Sequence, residues 1–302
     1  MSEMIDVARS SVQTWQADQM GHMNVQFYVE HAAQGLAALA VRLGLGPRFI
    51  DAERLRLIAR DHHIRFLREQ RPGAPFTVRA GVLDVRDYGL RVYLEMYNTQ
   101  SNEIAATFVS NVELLDEDTR ETKPLPAKAK TAAKSMLIEM PAHGAPRGIE
   151  MTPPRKAPTL DDAESMGLHF AWQGEVQLDQ CDGQGYLLPR HFMAIVSDSS
   201  PNIHRPISER DATKGGAVLE YRFHYHAYPR AGDVLTLRTG LKSVGAKTLV
   251  WGHWLFNIET GKIVTTAESV VIMFDLASRK SIDLSEELRG RLEKMVVPGI
   301  GV

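Results

Sequence analysis

The 302-residue sequence predicts an α+β protein in which one unit, a helix followed by an antiparallel meander of strands, occurs twice. An internal repeat is the first observation behind this. Sliding the chain along itself until Gly73 falls on Gly232 aligns residues 71–116 with 230–275 without a gap. Identical pairs mark the register: Thr77 with Thr236, Arg79 with Arg238, Gly81 with Gly240, Asn98 with Asn257, Ile104 with Ile263, Thr107 with Thr266, Ser110 with Ser269, Val112 with Val271 and Asp116 with Asp275. Arg120 with Arg279, Leu125 with Leu284 and Met136 with Met295 carry the register past the strands, so the unit includes a terminal helix. The second observation is period-two alternation of apolar and polar residues within both copies. The third is a segment ahead of the first meander that is apolar over most of its surface, as a helix wrapped by a sheet would be.

Taken in order, residues 25–43 form that first helix, rich in Ala32, Ala33, Ala37, Ala38 and Ala40. Residues 62–67 read as a short strand and Pro72-Gly73 as a turn. Residues 76–85, 90–97 and 104–115 alternate, with 98–102 as the turn between the last two. Pro141, Pro146, Pro153, Pro154 and Pro158, with glycines and charges among them, read as a linker. In the second copy residues 189–198 form a shorter helix that starts with proline at a first-turn position. Strands follow at 219–226, 234–244, 249–257 and 263–274, and residues 259–262 form the hairpin turn. The expected domains are 1–140 and 166–302, joined by a linker at 141–165.

Composition narrows the function. Lys plus Arg number 35 against 37 for Asp plus Glu, a formal net charge of -2, so no basic field exists to hold a phosphate backbone, and nucleic acid is not an expected partner. No stretch approaches the roughly 20 uncharged apolar residues of a membrane span, and no membrane partner is expected. The start of the chain carries Glu3, Asp6 and Arg9 without a long apolar run, which reads as unexported. Cys181, the single cysteine, fits a reducing compartment, and the cytoplasm is the expected location.

Just before each helix the copies share a second signature. Asp18-Gln19-Met20-Gly21-His22 aligns with Asp182-Gly183-Gln184-Gly185-Tyr186. The segment 15–28, with its Asp-x-x-Gly-His-x-Asn pattern, resembles the 4-hydroxybenzoyl-CoA thioesterase family and, more distantly, plant acyl-carrier-protein thioesterases. Strand, buried helix and meander is the order of the hotdog fold, and two such units resemble a double hotdog. The resemblance implies hydrolysis of an acyl-CoA thioester without a cofactor. Chemistry alone makes this pattern sensible. A carboxylate is needed to attack the carbonyl or activate water, and a helix N-terminus offers free N–H groups where the oxyanion forms.

Carried over by residue, the resemblance implies Asp18 as nucleophile or general base, Gly21 for close backbone approach and the amide near Val25 as the carbonyl's donor. His22 would orient substrate or water, and Asn24 matches the pattern's asparagine. Met20 departs from the plant enzymes, which carry asparagine there. In the second copy Asp182 and Gly185 are kept, but Tyr186 replaces the histidine, Leu188 the asparagine and Pro189 the Val25 position, where proline has no N–H to donate. One good site at Asp18 and an altered one at Asp182 are therefore expected, with Asp198 as a different carboxylate for the second copy.

Each of these residues has a plainer explanation. Asp18 caps turns and helices readily, Asp182-Gly183 is a common turn dipeptide and His22 packs as well as it catalyses. His62, His63, His224 and His226 lack the three or four convergent ligands zinc requires, so no metal is expected. Cys181 aligns with Ala17 of the other copy and reads as filler. Arg65, Arg68 and Arg71 could meet coenzyme A phosphates, though scattered arginines are usually just a solvated face. Rival functions are a hotdog hydratase or dehydratase, whose longer-spaced histidine motif is missing, and a non-catalytic acyl-CoA-binding protein. The carrier is coenzyme A or acyl-carrier protein, with the motif favouring the first, and further pairing into homo-oligomers is expected.

Overall fold

Alternating apolar residues become strands and the alanine-rich segment becomes a helix in the computed structural model, which describes residues 3–204, 214–278 and 280–302. Arg279, one partner in the repeat register, lies outside those residues. Contacts divide the chain into two units, Met1–Ala145 and Pro146–Val302.

The first unit contains, in order, β1 (Ile5–Ser11), α1 (Val25–Arg42), α2 (Pro47–Glu53), β2 (Leu55–Phe66), β3 (Pro75–Val85), β4 (Gly89–Asn98), β5 (Ile104–Asp116) and α3 (Ala127–Lys134). Its strands pair antiparallel in the order β1-β3-β4-β5-β2. β2 is longer than the sequence suggests because Asp61, His62 and His63 are buried beside Ile58 and Ile64, which hides the alternation. Edge strand β1 pairs on one side within the unit and is half-exposed, so it carries almost no pattern.

α1 is pressed onto the sheet. A Cβ at Gly35 would lie 3.0 Å from Val7 Cγ2 and 3.2 Å from both Leu94 Cδ2 and Val78 Cγ1, so the helix backbone rests directly on these strand side chains. Val29, Ala32 and Leu39 bury the adjoining positions. At about 1.5 to 3 kcal/mol for each large apolar side chain taken from water, this face fixes where the N-terminus of α1 sits. Beyond α3 the chain crosses the outer face of the sheet. A Cβ at Gly144 would fall 2.5 Å from Tyr93 Cε2, so only glycine fits there. His143 Nε2 lies 2.9 Å from Glu95 Oε2, and Arg65 donates to the carbonyls of His143 and Ala145.

The second unit repeats the plan with α4 (Leu160–Ser165), β6 (His169–Glu175), α5 (Pro189–Asp198), α6 (Ser200–His204), β7 (Lys214–Tyr225), β8 (Val234–Val244), β9 (Thr248–Asn257), β10 (Ile263–Asp275) and α7 (Glu286–Glu293). Its sheet runs β7-β10-β9-β8-β6, again antiparallel. Thr159 caps α4 reciprocally with Asp162, and Ala163 and Leu168 pack on Trp254, Phe256 and Ile300. Where the first unit holds its tail with Glu95, the second has Trp254, which donates to the Gly301 carbonyl at 2.9 Å. Among the described residues no helix is long and apolar enough to cross a membrane.

Candidate active site

The segment ahead of α1 is a short loop tied down at both ends. Gln13 and Gln16 frame a single 3-10 turn, Thr14–Gln16, in which the Gln13 amide donates to Gln16 Oε1 at 2.9 Å. Ala17 then bridges Met23, the Asn24 amide donates to the Gln16 carbonyl at 2.8 Å, and the Met23 amide to the Gln70 carbonyl at 2.7 Å. Between these ties Asp18 forms a side-chain turn. Its Oδ1 accepts from the Met20 amide at 2.8 Å and the His22 amide at 3.2 Å, while its own amide donates to the His22 carbonyl at 2.8 Å. The plain role and the catalytic one are compatible, because only one carboxylate oxygen is engaged by the turn. Asp18 is exposed. Gly21 has φ +77° with nothing within 4 Å of a notional Cβ, so the sign of φ is what calls for glycine in the free protein.

Asn24 caps α1, accepting from the Gln26 amide at 3.1 Å, and its carbonyl accepts from the Phe27 amide at 3.0 Å. That leaves the Val25 amide, the first of the helix, without an acceptor among the described residues. A first-turn N–H at the positive end of an 18-residue helix is a ready donor for a developing negative charge.

Glu69, which the sequence did not single out, and Arg71, one of the three arginines, come to this loop. His22 Nε2 lies 3.1 Å from Glu69 Oε2 and 3.3 Å from Arg71 Nη2, with the imidazole largely buried and the carboxylate partly exposed. Glu69 accepts only from an Nε2 that carries a proton, whereas Arg71 donates only to a bare one, so the two partners favour opposite states of the ring. Tyr28 sits beneath. The Gln70 amide donates to its oxygen at 3.1 Å, and burial, reinforced by the charges of Glu69 and Asp18, pushes its phenol well above the usual range. Gln70, itself buried, accepts from the Asn98 side chain at 2.9 Å, which couples the loop to the end of β4.

The model of the thioesterase-like superfamily matches residues 12–133 and 207–292, which takes in this loop, α1 and most of both sheets. The chain belongs to the thioesterase-like superfamily. It is a thioester hydrolase. Solved structures agree at the level of fold. The 12:0-ACP thioesterase from Umbellularia californica superposes with a TM-score of 0.68 at 13% identity, covering 90% of this chain and 94% of that one. An acyl-ACP thioesterase from Bacteroides thetaiotaomicron gives 0.65 at 12% identity, covering 87% and 96%. No curated protein matches in sequence.

The second copy of the thioesterase loop keeps the scaffold and changes the chemistry. Asp182 Oδ1 accepts from the Gln184 and Tyr186 amides at 2.9 and 3.0 Å, Gly185 has φ +82°, and the Leu188 amide donates to the Gln180 carbonyl at 3.0 Å. The turn is the same one. Pro189, however, opens α5 where Val25 opens α1, so the free donor is gone. Arg230 stacks over the Tyr186 ring at 5.1 Å, in the place where Arg71 meets His22. Asp198 is exposed at the far end of α5, a helix length from this loop, and accepts from Ser197.

The remaining sequence candidates fall elsewhere. Arg65 faces the chain at His143, and Arg68 pairs with Glu103. Of the three arginines only Arg71 reaches the loop. His224 in β7 and His226 just beyond its end have ring centroids 4.7 Å apart, yet among the described residues no group of three His, Cys, Asp or Glu side chains is placed to hold a metal. The Cys181 thiol donates to the Gln177 carbonyl, and burial with the nearby Asp182 charge pushes its pKa up, which disfavours a thiolate.

Proposed function

We propose that this thioesterase is a double hotdog of the 4-hydroxybenzoyl-CoA thioesterase kind, with domains 1–140 and 166–302 joined by 141–165. In this reading it hydrolyses an acyl-CoA to free acid and CoA at one site, in the first copy. Asp18 is the nucleophile or general base. The Val25 amide receives the carbonyl oxygen as it becomes an oxyanion, with the dipole of α1 behind it. His22, held by Glu69, orients the water or the thioester, and Asn24 and Gly21 fix the loop that presents both. Asp182 and Gly185 preserve the turn without the donor.

Attack by Asp18 on the carbonyl would form a mixed anhydride and release the thiolate, after which water cleaves the anhydride. Alternatively Asp18 takes a proton from water as that water attacks. Either way one water is consumed and one acid and one thiol appear, and the thiolate leaves without a strong general acid. The observation that carries the reading is the pairing in one tied loop of a half-engaged carboxylate, Asp18, with an unsatisfied helix amide, Val25. Its test is to follow thiol and free acid together across a panel of acyl-CoAs. Equal release of both from at least one of them is expected. Binding of every member without release of thiol would overturn the proposal.

A further inference from the structure

Trp15 and Met20 flank Asp18 on the same loop and are the large apolar side chains there that remain in water, 75% and 50% exposed. Neither floats freely. Trp15 is the middle residue of the 3-10 turn that Gln13 and Gln16 brace, and Gln16 is itself buried, with its Nε2 3.2 Å from His31 Nε2. Met20 donates its amide to Asp18 Oδ1. Both positions therefore move with the carboxylate. The second copy supplies a control within the chain. Its braced turn places Asp179 and Gln184 at these positions, next to a loop with neither the histidine nor the helix donor. At these two positions apolar residues rim the complete loop and polar ones the altered loop, whose exposed apolar side chain, Leu178, stands one place earlier on its turn.

Thioester geometry says which part of a substrate passes this rim. In the proposed reaction the carbonyl sits at the Val25 amide and Asp18 beside it is exposed, so the chain beyond the sulfur is taken to leave along this exposed loop. Every carrier thioester continues from that sulfur into a pantetheine arm, which has amides and an apolar dimethyl carbon. We propose that Trp15 and Met20 are the subsite for this arm, the part that CoA and acyl-carrier protein share. An indole suits it, offering a flat face to the methyls and an N–H to an amide oxygen. A second protein copy is a poorer occupant. Trp15 exposes under about 200 Å², whereas a stable interface takes roughly 800 Å² from each partner. The inference rests on the reading of Asp18 and Val25 as the reaction site, and direct binding separates the two.

The test compares an acyl-pantetheine thioester with the same acyl group on N-acetylcysteamine, which lacks most of the arm. For wild type we expect KM to be at least tenfold lower for the pantetheine thioester. Trp15→Ala should raise that KM about tenfold with kcat unchanged, and leave the N-acetylcysteamine substrate unaffected. Acyl-CoA and acyl-carrier protein should lose alike. Free pantetheine should quench tryptophan fluorescence in wild type and not in Trp15→Phe, which keeps the half-buried Trp172 and the buried Trp251 and Trp254 as the unresponsive background. Quenching without turnover would support the subsite while overturning the thioesterase reading. Turnover with unchanged KM for both substrates in Trp15→Ala would overturn the subsite. So would a change of oligomeric state without a change in KM, which would instead make the rim a contact between copies.

Discussion

Replacing Val25 with proline removes the amide hydrogen from the proposed site and exchanges a half-buried isopropyl group for the pyrrolidine ring. Proline is at home in the first turn of a helix, where its fixed φ suits the backbone and its missing N–H breaks no helical bond. The residue before it must be extended. Asn24 already is, at φ −62° and ψ 141°, close to the −70° and 146° of Leu188, which precedes the natural proline of the second copy. Stability should therefore change by no more than about 1 kcal/mol in either direction. The oxyanion, by contrast, would lose its helix donor, an effect worth about 3 to 4 kcal/mol, or roughly 10² to 10³ in kcat. Thiol release measured beside thermal unfolding reads both quantities. A Val25→Pro enzyme with wild-type melting and kcat within threefold of wild type would refute the assignment of this amide.

Two further outcomes follow from contacts around the loop and in the sheet. His22→Gln and Glu69→Gln should each lower kcat/KM, and the double variant should be no worse than the worse single one. A coupling of about 0.5 to 3 kcal/mol is expected for groups in contact, and additive losses would show that the 3.1 Å pair does not work as a unit. His62 is pushed down to about 4, from 6.5, by burial, with Asp61 opposing. The folded state then binds fewer protons than the unfolded one, so stability present above pH 6.5 is lost as pH falls through the window down to about 4. On the order of 3 kcal/mol is at stake. Denaturant unfolding of wild type and His62→Gln across that window should show a shallower slope in the variant, and equal slopes would contradict the account.

The sheets were legible because alternation survives where one face is covered, and because the repeat lets each copy read the other. Val234–Val244 and Pro189–Asp198 fall where the pattern puts them. Half-exposed edge strands such as β1 lack a contrast between faces, and β2 buries Asp61, His62 and His63, so polarity misstates its extent. In the loop, Asp18, Gly21, His22 and Asn24 are contiguous and their turn follows from residue type. Glu69 and Arg71 were not recognisable as neighbours of His22, since tertiary bonds such as those from the Met23 amide to the Gln70 carbonyl and from the Gln70 amide to the Tyr28 oxygen bring those distant segments together. Trp15 is invisible for another reason: its exposure is a property of the folded surface, and composition treats any tryptophan as core.

The central claim, one thioesterase site in the first copy, is tested most directly by comparing thiol release in Asp18→Asn and Asp182→Asn. Asparagine keeps the oxygen that accepts the turn amides in both loops, so each variant should fold and differ only in its carboxylate. The account predicts a loss of about 10² to 10⁴ in kcat for Asp18→Asn, the range for a catalytic base, and activity within twofold of wild type for Asp182→Asn. Full activity in Asp18→Asn, or loss of activity in Asp182→Asn alone, would contradict it.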